Sequence, residues 1–376
     1  MVFVLLVIGA FFLAWSNGAN DNFKGVATLY GSGAASFHTA LVWATAATAV
    51  GSLLSVFMAE KLAVAFSGKG LVPDTFIGPG LLAAVGSAAA VTILLATWLG
   101  MPTSTTHALT GALVGAGLAA AGPMAIDWQR LATKFGQPLL LSPIMALGLT
   151  AGAYVVLRRV RQRLAIQEDS CLCVSGGERE PAMATAGGLI WRDSGPVRGL
   201  EVEIVPAARC ELHSPRHGIR LAARRSVDSL HFLSGGAVCF ARAVNDTPKI
   251  AALLLLGSGV GGTALSAGKL ALVALAMAVG GWVQSRKVAE TMSKRITDLN
   301  PGQGLTANLV TAGLVLGASS VGVPVSTTHV SCGSIFGIGM ATSNGRWDTI
   351  RQILATWVTT LPLALALGFA IQLVLR

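Results

Sequence analysis

Apolar residues along this chain are grouped in long stretches, and short segments between the stretches hold most of the charge. A helix rises about 1.5 Å per residue, so about 20 apolar residues cross the roughly 30 Å hydrocarbon core of a membrane. The stretches form two halves of about five each, at 2–16, 35–59, 79–99, 106–121, 136–157, 230–257, 262–284, 303–323, 327–342 and 350–375. This pattern predicts an all-α integral membrane protein. The first stretch lacks a charged start and a cleavage site, so we expect a span and not a signal peptide.

Two polar motifs each occur twice. Pro-Thr-Ser-Thr-Thr-His at 102–107 returns as Pro-Val-Ser-Thr-Thr-His at 324–329, and Asn-Asp-Asn-Phe-Lys at 20–24 returns as Asn-Asp-Thr-Pro-Lys at 245–249. The motifs keep the same order and nearly the same separation in each half, so the chain reads as two copies of one unit. Repeats that carry helix-breaking polar sequence at membrane depth are typical of secondary transporters. We expect broken helices there, and the shorter stretches after each Ser-Thr-Thr-His are alternatively re-entrant limbs.

Composition and charge indicate how the halves are arranged. Of 376 residues, 53% are hydrophobic and 12% are charged, too few for the surface of a soluble protein of this size. Arginines cluster on both sides of a polar middle segment, which is therefore expected to be cytoplasmic. Five crossings per half then put both termini outside and invert the second copy. We divide the chain into a first membrane repeat at 1–163, a cytoplasmic linker or small subdomain at 164–229 and a second membrane repeat at 230–376.

Each Ser-Thr-Thr-His motif has the form of a helix start, with proline and hydroxyl residues before an apolar run. Free N–H groups at a helix start attract anions, and hydroxyls add neutral donors. Two inverted copies can clamp one anion from both sides. The alternative is that the hydroxyls bind backbone carbonyls and hold helices together. We favour a site because the motif is repeated, and its candidate residues are Ser104, Thr105, Thr106, Ser326, Thr327 and Thr328, with His107 and His329 either adjoining it or packing.

Asp21 and Asp246 are intramembrane carboxylates, which are costly and usually mark an ion or proton pathway. The neighbouring Asn20 and Asn245 add amide groups that suit a cation, and a proton on each carboxylate is the alternative. In the linker, Cys171, Cys173, Cys210, His213 and His217 lack the paired spacing of a zinc site, so we expect no metal and no cofactor.

The paired motifs resemble the inorganic phosphate transporter (PiT) family, in which Gly-Ala-Asn-Asp and Pro-x-Ser-Thr-Thr-His recur in two inverted halves. The first copy, 18–21, matches fully, whereas Ala-Val-Asn-Asp at 243–246 departs at two places. The resemblance implies that the hydroxyl residues surround phosphate, that the Asn-Asp pairs form coupling-cation sites, and that sodium or protons drive alternating access. It covers both membrane halves and excludes roughly 164–229.

Lys24 and Lys249 replace neutral residues of many sodium-coupled relatives at equivalent positions. A lysine three residues after an aspartate lies about one turn along a helix, within reach of the carboxylate. Our hypothesis is that each ammonium occupies the place of a sodium ion and leaves coupling to protons. The alternative is that both lysines extend to water at the helix ends.

Phosphate is favoured over sulfate because a protonated phosphate donates a hydrogen bond to a buried carboxylate, whereas sulfate only accepts. Sulfate or another tetrahedral oxyanion stays the alternative substrate, and sodium stays the alternative coupling ion. A channel fits the inverted repeats less well. A sensor that binds the anion without moving it stays a further alternative, and no motif indicates an enzyme. We expect a bacterial inner membrane, no nucleic-acid partner, and a homodimer as the oligomer to test.

Overall fold

A computed structural model describes residues 2–58, 60–176, 200–206, 219–254 and 267–376. The chain forms two compact units, Met1–Val155 with His231–Arg376, and Val156–Leu230. The predicted helical membrane architecture is confirmed for the first unit, because every predicted apolar stretch overlaps a helix. The described helices are α1 Val2–Asp21, α2 Ala27–Gly31, α3 Phe37–Met58, α4 Glu60–Phe66, α5 Pro79–Trp98, α6 Thr105–Ala121, α7 Trp128–Arg163, α8 Ala223–Ala251, α9 Ala267–Gln284, α10 Arg286–Arg295, α11 Pro301–Val321, α12 Thr327–Thr342 and α13 Trp347–Leu375.

Six of the described helices are long and apolar enough to cross a membrane: α1, α3, α5, α7, α11 and α13. A seventh candidate is the pair α9 and α10, which is bent by 71° at the break between them. Helices α6 and α12 have 17 and 16 residues and reach only about 25 Å at 1.5 Å per residue. Short helices that begin inside the membrane leave their first turns within the protein.

The second unit contains a three-stranded antiparallel sheet that the sequence analysis did not predict. Strands β1 Ser170–Gly176, β2 Leu200–Pro206 and β3 Ile219–Ala222 pair in the order β2-β1-β3. Apolar and acidic residues alternate along β2, the period of a half-exposed strand, so the signal was present. Cys171 and Cys173 lie in β1, whereas Cys210, His213 and His217 fall outside the described residues. Within the described residues, no cluster of histidine, cysteine or acidic side chains suits a metal ion.

The two Asn-Asp copies differ in backbone structure. Helix α1 ends at Asp21, and a turn at 22–26 separates it from α2, so the expected break is present in the first copy. In the second copy α8 continues through Asp246 to Ala251, with Pro248 inside the helix, so the expected break next to Asp246 is wrong. Gly25 explains part of the difference, because a Cβ there would lie 2.5 Å from the Cys239 sulfur. Its counterpart Ile250 is helical and fully buried.

Helices α1 and α9 cross with their backbones in contact. A Cβ on Gly18 would fall on the carbonyl of Met277, and a Cβ on Gly280 would fall on the carbonyl of Trp15. Glycine has no side chain, so it lets the two backbones approach closely. In lipid, where the hydrophobic effect does not drive helices together, such close packing is a main source of helix association. The crossing holds α1 at the depth where its last turn carries Asn17 and Asp21.

We expect Gly280→Val to destabilise the protein by about 1–3 kcal/mol or more, because the added methyl groups force α1 and α9 apart. The measurement is the thermal unfolding midpoint in detergent. Gly313→Val is the matched control, since a Cβ on Gly313 meets no atom within 4 Å. Equal midpoints for the two variants would contradict the close crossing.

Candidate functional site

The two Ser-Thr-Thr-His motifs start helices α6 and α12, as predicted. Ser104 and Ser326 are the N-cap residues, and each side chain accepts a hydrogen bond from the backbone N–H of the histidine three residues on, at 3.1 and 3.2 Å. This cap satisfies one orphan N–H of each first turn. The predicted serines therefore shape the helix starts, and their hydroxyl oxygens are already engaged.

The two helix starts face each other and touch. The Thr106 hydroxyl donates to the carbonyl of Val325 at 3.1 Å, and the Thr328 hydroxyl donates to the carbonyl of Thr103 at 2.5 Å. Residues 103 and 325 are equivalent in the two motifs, as are 106 and 328, so the contacts are reciprocal. The structure thus brings the two motif copies, which belong to opposite halves of the chain, into one cluster.

Each predicted lysine bridges its own aspartate and the facing helix start. Lys24 forms an ion pair with Asp21, and its Nζ also donates to the Thr103 carbonyl at 2.8 Å and to the Thr328 hydroxyl. The equivalent lysine of the second copy behaves alike, and its Nζ donates to the oxygens of Asp246 at 3.3 Å, Thr106 at 2.8 Å, Val325 at 3.1 Å and Asn245.

Burial decides between the two readings of the lysines. Lys24 is 2% exposed and Lys249 is 0% exposed. Neither ammonium reaches water at a helix end, so the alternative in which both extend to solvent is wrong. Because an unpaired buried charge is very costly, the aspartate and hydroxyl contacts are required for the lysines to stay inside.

Both carboxylates lie within reach of one amide group. The Asn17 side chain donates to Asp21 Oδ2 at 3.1 Å, to the Thr105 hydroxyl at 2.8 Å and to Asp246 Oδ2 at 3.4 Å. Thr105 also donates to Asp21 at 3.1 Å, and its counterpart Thr327 donates to Asp246 at 3.3 Å. The four predicted threonines therefore divide into two pairs, one that holds the carboxylates and one that meets the lysines.

Asn20 and Asn245 form hydrogen bonds to residues that precede the two helix starts in the chain. Asn20 donates to the Thr97 hydroxyl at 2.9 Å and to the Met101 carbonyl at 3.0 Å, and it accepts from the Thr103 N–H at 3.0 Å. Asn245 donates to the Ser319 hydroxyl at 2.9 Å. The bonds of Asn20 anchor the segment that leads into α6. The asparagines thus brace the helix starts, while their role at a coupling-ion site stays a prediction.

Sequence reasoning missed Arg242, the largest fully buried side chain. It is 1% exposed, and its guanidinium donates to Asn17 at 3.0 Å, Thr48 at 2.7 Å and Asn22 at 3.4 Å. Arg242 stands four positions before Asp246, as Asn17 stands four before Asp21, so two equivalent positions bind each other. A charged residue in a predicted membrane stretch was the available signal.

The charges of the cluster sum to a positive value. Three buried cations, Lys24, Lys249 and Arg242, surround the two buried anions Asp21 and Asp246, for a formal net charge of +1. In a low-dielectric interior such a charge is strongly felt, and it is offset most simply by an anion. Hydroxyl groups from both helix starts accept hydrogen bonds from the ammoniums and donate to backbone carbonyls. A hydroxyl can rotate, so each can turn its O–H toward an anion. The arrangement suits an oxyanion.

His107 and His329 lie next to each other just inside the helix starts. Their ring centroids are 4.5 Å apart, and His329 stacks on Trp357 at 3.9 Å. Both line an apolar cavity of about 710 Å³ between α7, α12 and α13. No hydrogen bond from their rings to the lysines or carboxylates is present among the described residues. Packing therefore accounts for them better than a direct role at the site.

Comparisons with known proteins agree on one family. A family model described as the phosphate transporter family matches residues 17–368. A Pyrococcus furiosus protein named as a phosphate permease is 26% identical, and the alignment covers 96% of this chain and 93% of that protein. The inorganic phosphate transporter 2-1, chloroplastic, of Arabidopsis thaliana is 27% identical, with 95% and 69% covered. A solved structure described as the sodium-dependent phosphate transporter has a TM-score of 0.75 at 20% identity, covering 100% of this chain and 98% of that one, which shows a shared fold.

We expect Arg242→Gln to lower the free energy of unfolding by about 1.5–3 kcal/mol, because hydrogen bonds from the charged guanidinium are lost and the Asn17 side-chain oxygen loses its donor. Thermal unfolding in detergent measures the loss. Arg286→Gln is the control, because that side chain is 75% exposed and its ion pair with Glu290 is long, at 3.4 Å. Similar midpoints for both variants would show that Arg242 does not hold the cluster together.

Proposed function

Because the chain belongs to the phosphate transporter family, we propose that this multi-pass membrane protein carries inorganic phosphate by secondary transport with protons as the coupling ion. The observation that carries the proposal is the pair of facing helix starts whose hydroxyls already hold two buried ammonium groups. Donors aimed at one point from two sides suit a tetrahedral oxyanion, since each oxygen accepts several hydrogen bonds.

In this proposal phosphate binds between Thr106 and Thr328 and takes up hydrogen bonds that the lysines now make to those hydroxyls. The ammonium and hydroxyl groups already lie side by side. To donate to phosphate, each hydroxyl turns its O–H away from the backbone carbonyl that now accepts it. Thr105 and Thr327 keep the carboxylates in place. The capping serines of the two motifs act indirectly, by fixing the helices that present the donors.

Proton coupling is supported by the geometry of the ion pairs. Each lysine sits between an aspartate and the backbone carbonyl ahead of a helix start, Thr103 for Lys24 and Val325 for Lys249. Carboxylate, carbonyl and hydroxyl oxygens are also the ligands that a bound cation would take. An ammonium tethered there leaves no need for sodium. The solved relative is described as sodium-dependent, which makes sodium the coupling ion to test against.

Alternating access is the expected mode of transport. The charged and hydroxyl side chains of the cluster are at most 4% exposed, so neither face of the membrane reaches them in this structure. Phosphate can then cross only if the helices around the site move to open one face at a time. The inverted repeat, a bacterial inner membrane with external termini and a cytoplasmic linker, and the homodimer all remain predictions.

Sulfate is the second candidate substrate, and one observation favours it. Each carboxylate is neutralised by its own lysine, so the repulsion that was expected to exclude sulfate is reduced. Three cations against two anions suit any tetrahedral dianion. We still favour phosphate, because it is the substrate that the names of the relatives give and because only phosphate donates a hydrogen bond.

The first test measures uptake of radiolabelled phosphate into proteoliposomes under a proton gradient and, separately, under a sodium gradient. We expect proton-driven uptake that is independent of sodium and resists excess sulfate. Liposomes without protein are the control. Strong sulfate competition would transfer the assignment to sulfate, and a strict sodium requirement would refute the lysine hypothesis.

The double variant Lys24→Asn, Lys249→Asn tests the ammonium groups directly. Removing both cations leaves Asp21 and Asp246 unpaired, so sodium becomes the available counter-ion and we expect uptake to gain sodium dependence. The exposed lysine variant Lys61→Asn serves as the control. Identical sodium dependence in wild type and double variant would contradict the proposal.

Thr106→Val with Thr328→Val should raise the KM for phosphate. Each lost hydroxyl removes about 1 kcal/mol of binding, and two together correspond to a rise of roughly 10- to 30-fold. Thr110→Val is the matched control, because its hydroxyl donates within α6 to the Thr106 carbonyl, one turn beyond the site. An unchanged KM in the double variant would place the anion elsewhere.

A further inference from the structure

One group of buried polar side chains near the site belongs to α2, α8, α11 and α12. Thr311 donates to Ser334 at 2.9 Å, Thr28 donates to Asn308 at 3.1 Å, and His231 Nε2 lies 3.0 Å from the Thr28 hydroxyl. Ser331 stands one turn after Thr328 and one turn before Ser334 on α12, so it lies between the site and this group. We call the set the polar track, and it consists of Ser331, Ser334, Thr311, Asn308, Thr28 and His231.

The positions that the repeat makes equivalent to the polar track, each in the opposite half of the chain from its counterpart, are all apolar or glycine. When the repeated motifs are aligned, the polar track corresponds to Leu109, Ala112, Ala89, Gly86, Leu253 and Leu6, in the same order. Apart from the glycine, each of these residues is at most 1% exposed and belongs to the main hydrophobic core. One direction out of the site is therefore polar, and the related direction is closed by apolar packing.

The polar track reaches from the site almost to the surface. At one end, Thr328 holds the Lys24 ammonium. At the other, His231 packs against Gly304 in the first turn of α11, whose N-cap Asn300 is exposed. About two turns of α12 and one of α11 separate the ends, which is roughly 16 Å at a pitch of about 5.4 Å per turn.

Helix packing alone does not account for the polar track. Polar residues that only hold helices together are expected to satisfy one another. Yet Ser331 Oγ and His231 Nδ1 are buried, and neither has a hydrogen-bond partner among the described residues. Serines one turn apart on a helix are separated by a gap that a water molecule can bridge. A bridging water at Ser331 Oγ, and another at His231 Nδ1, would extend the chain of hydrogen bonds in the polar track.

We propose that the polar track conducts the coupling proton between the Lys24–Asp21 pair and the membrane face at which α11 begins. Each hydroxyl accepts one proton on a lone pair and passes its own to the next acceptor, so no charge remains on serine or threonine. Asn308 orients the Thr28 hydroxyl by accepting from it, and a bridging water carries the proton past this amide. The equivalent apolar positions offer no hydroxyl to conduct a proton. From that direction the proton enters only together with the anion, when the site opens. This inference rests on the proton coupling proposed above.

Ser331→Ala is the sharpest test, because it removes a hydroxyl without leaving any described partner unsatisfied. Two activities are compared in proteoliposomes: phosphate uptake driven by a proton gradient, and exchange of labelled for unlabelled phosphate without a gradient. We expect uptake to fall about 10-fold or more while exchange is kept, because only net uptake requires proton transfer along the track. Retained exchange also shows that the variant is folded.

Ser142→Ala is the matched control, since Ser142 is likewise buried at 7% exposure with an unpartnered hydroxyl but lies outside the polar track. A second variant, Ser334→Ala with Thr311→Ala, installs the residues that the apolar half has at these positions, and it should behave like Ser331→Ala.

Unchanged uptake in both track variants would overturn the proposal. Equal losses of uptake and exchange would also overturn it, because the track would then line the route of the anion. The wild type tests the premise separately: if its own uptake ignores the proton gradient, the proposed coupling fails, and the proton role of the track fails with it.

Discussion

Two buried ion pairs govern the structure of this protein. Lys24 with Asp21 and Lys249 with Asp246 are almost completely buried, and an unpaired member would cost several kcal/mol. Each ammonium also requires oxygens beyond its carboxylate, and it finds them on the helix start that faces it. The two motif copies are therefore held together by the need to satisfy charge, and the site exists because both halves contribute to it.

Repetition of the motifs explains why the two helix starts contact each other reciprocally. Differences between the copies determine the net charge of the cluster. The reciprocal threonine contacts follow from two copies of the same motif. Asn17 and Arg242 occupy equivalent positions and yet bind each other, which places one additional cation beside both carboxylates. The result is a formal net charge of +1 in place of the neutral sum that the two lysine–aspartate pairs alone would have. An anion complements that charge.

Much of the candidate site was predictable from sequence, because the intramembrane charges and the repeated motifs are local signals. The helix starts at Ser104 and Ser326 follow from capping chemistry. The reach of Lys249 to Asp246 follows from helical spacing, whereas Lys24 reaches Asp21 from the turn after α1. Arg242 was overlooked because it stands outside both motifs. The uninterrupted α8 was missed because the polar residues around Asp246 were expected to break the helix, whereas the helix continues to Ala251 and the neighbouring Ile250 is fully buried in it.

The sequence by itself determined the class of protein, the positions of its apolar helices and the residue types at their polar ends, because hydrophobic length and capping act over a few residues. Only the tertiary structure decided that each lysine is buried, that it reaches the threonine of the other copy, and that Arg242 anchors Asn17. It also decided that Thr28, His231 and Asn308, from three different helices, form hydrogen bonds to one another, and that Thr311 does so with Ser334. Those outcomes depend on contacts between the two halves of the chain, such as that of Lys24 with Thr328, and no local pattern encodes which buried groups will meet.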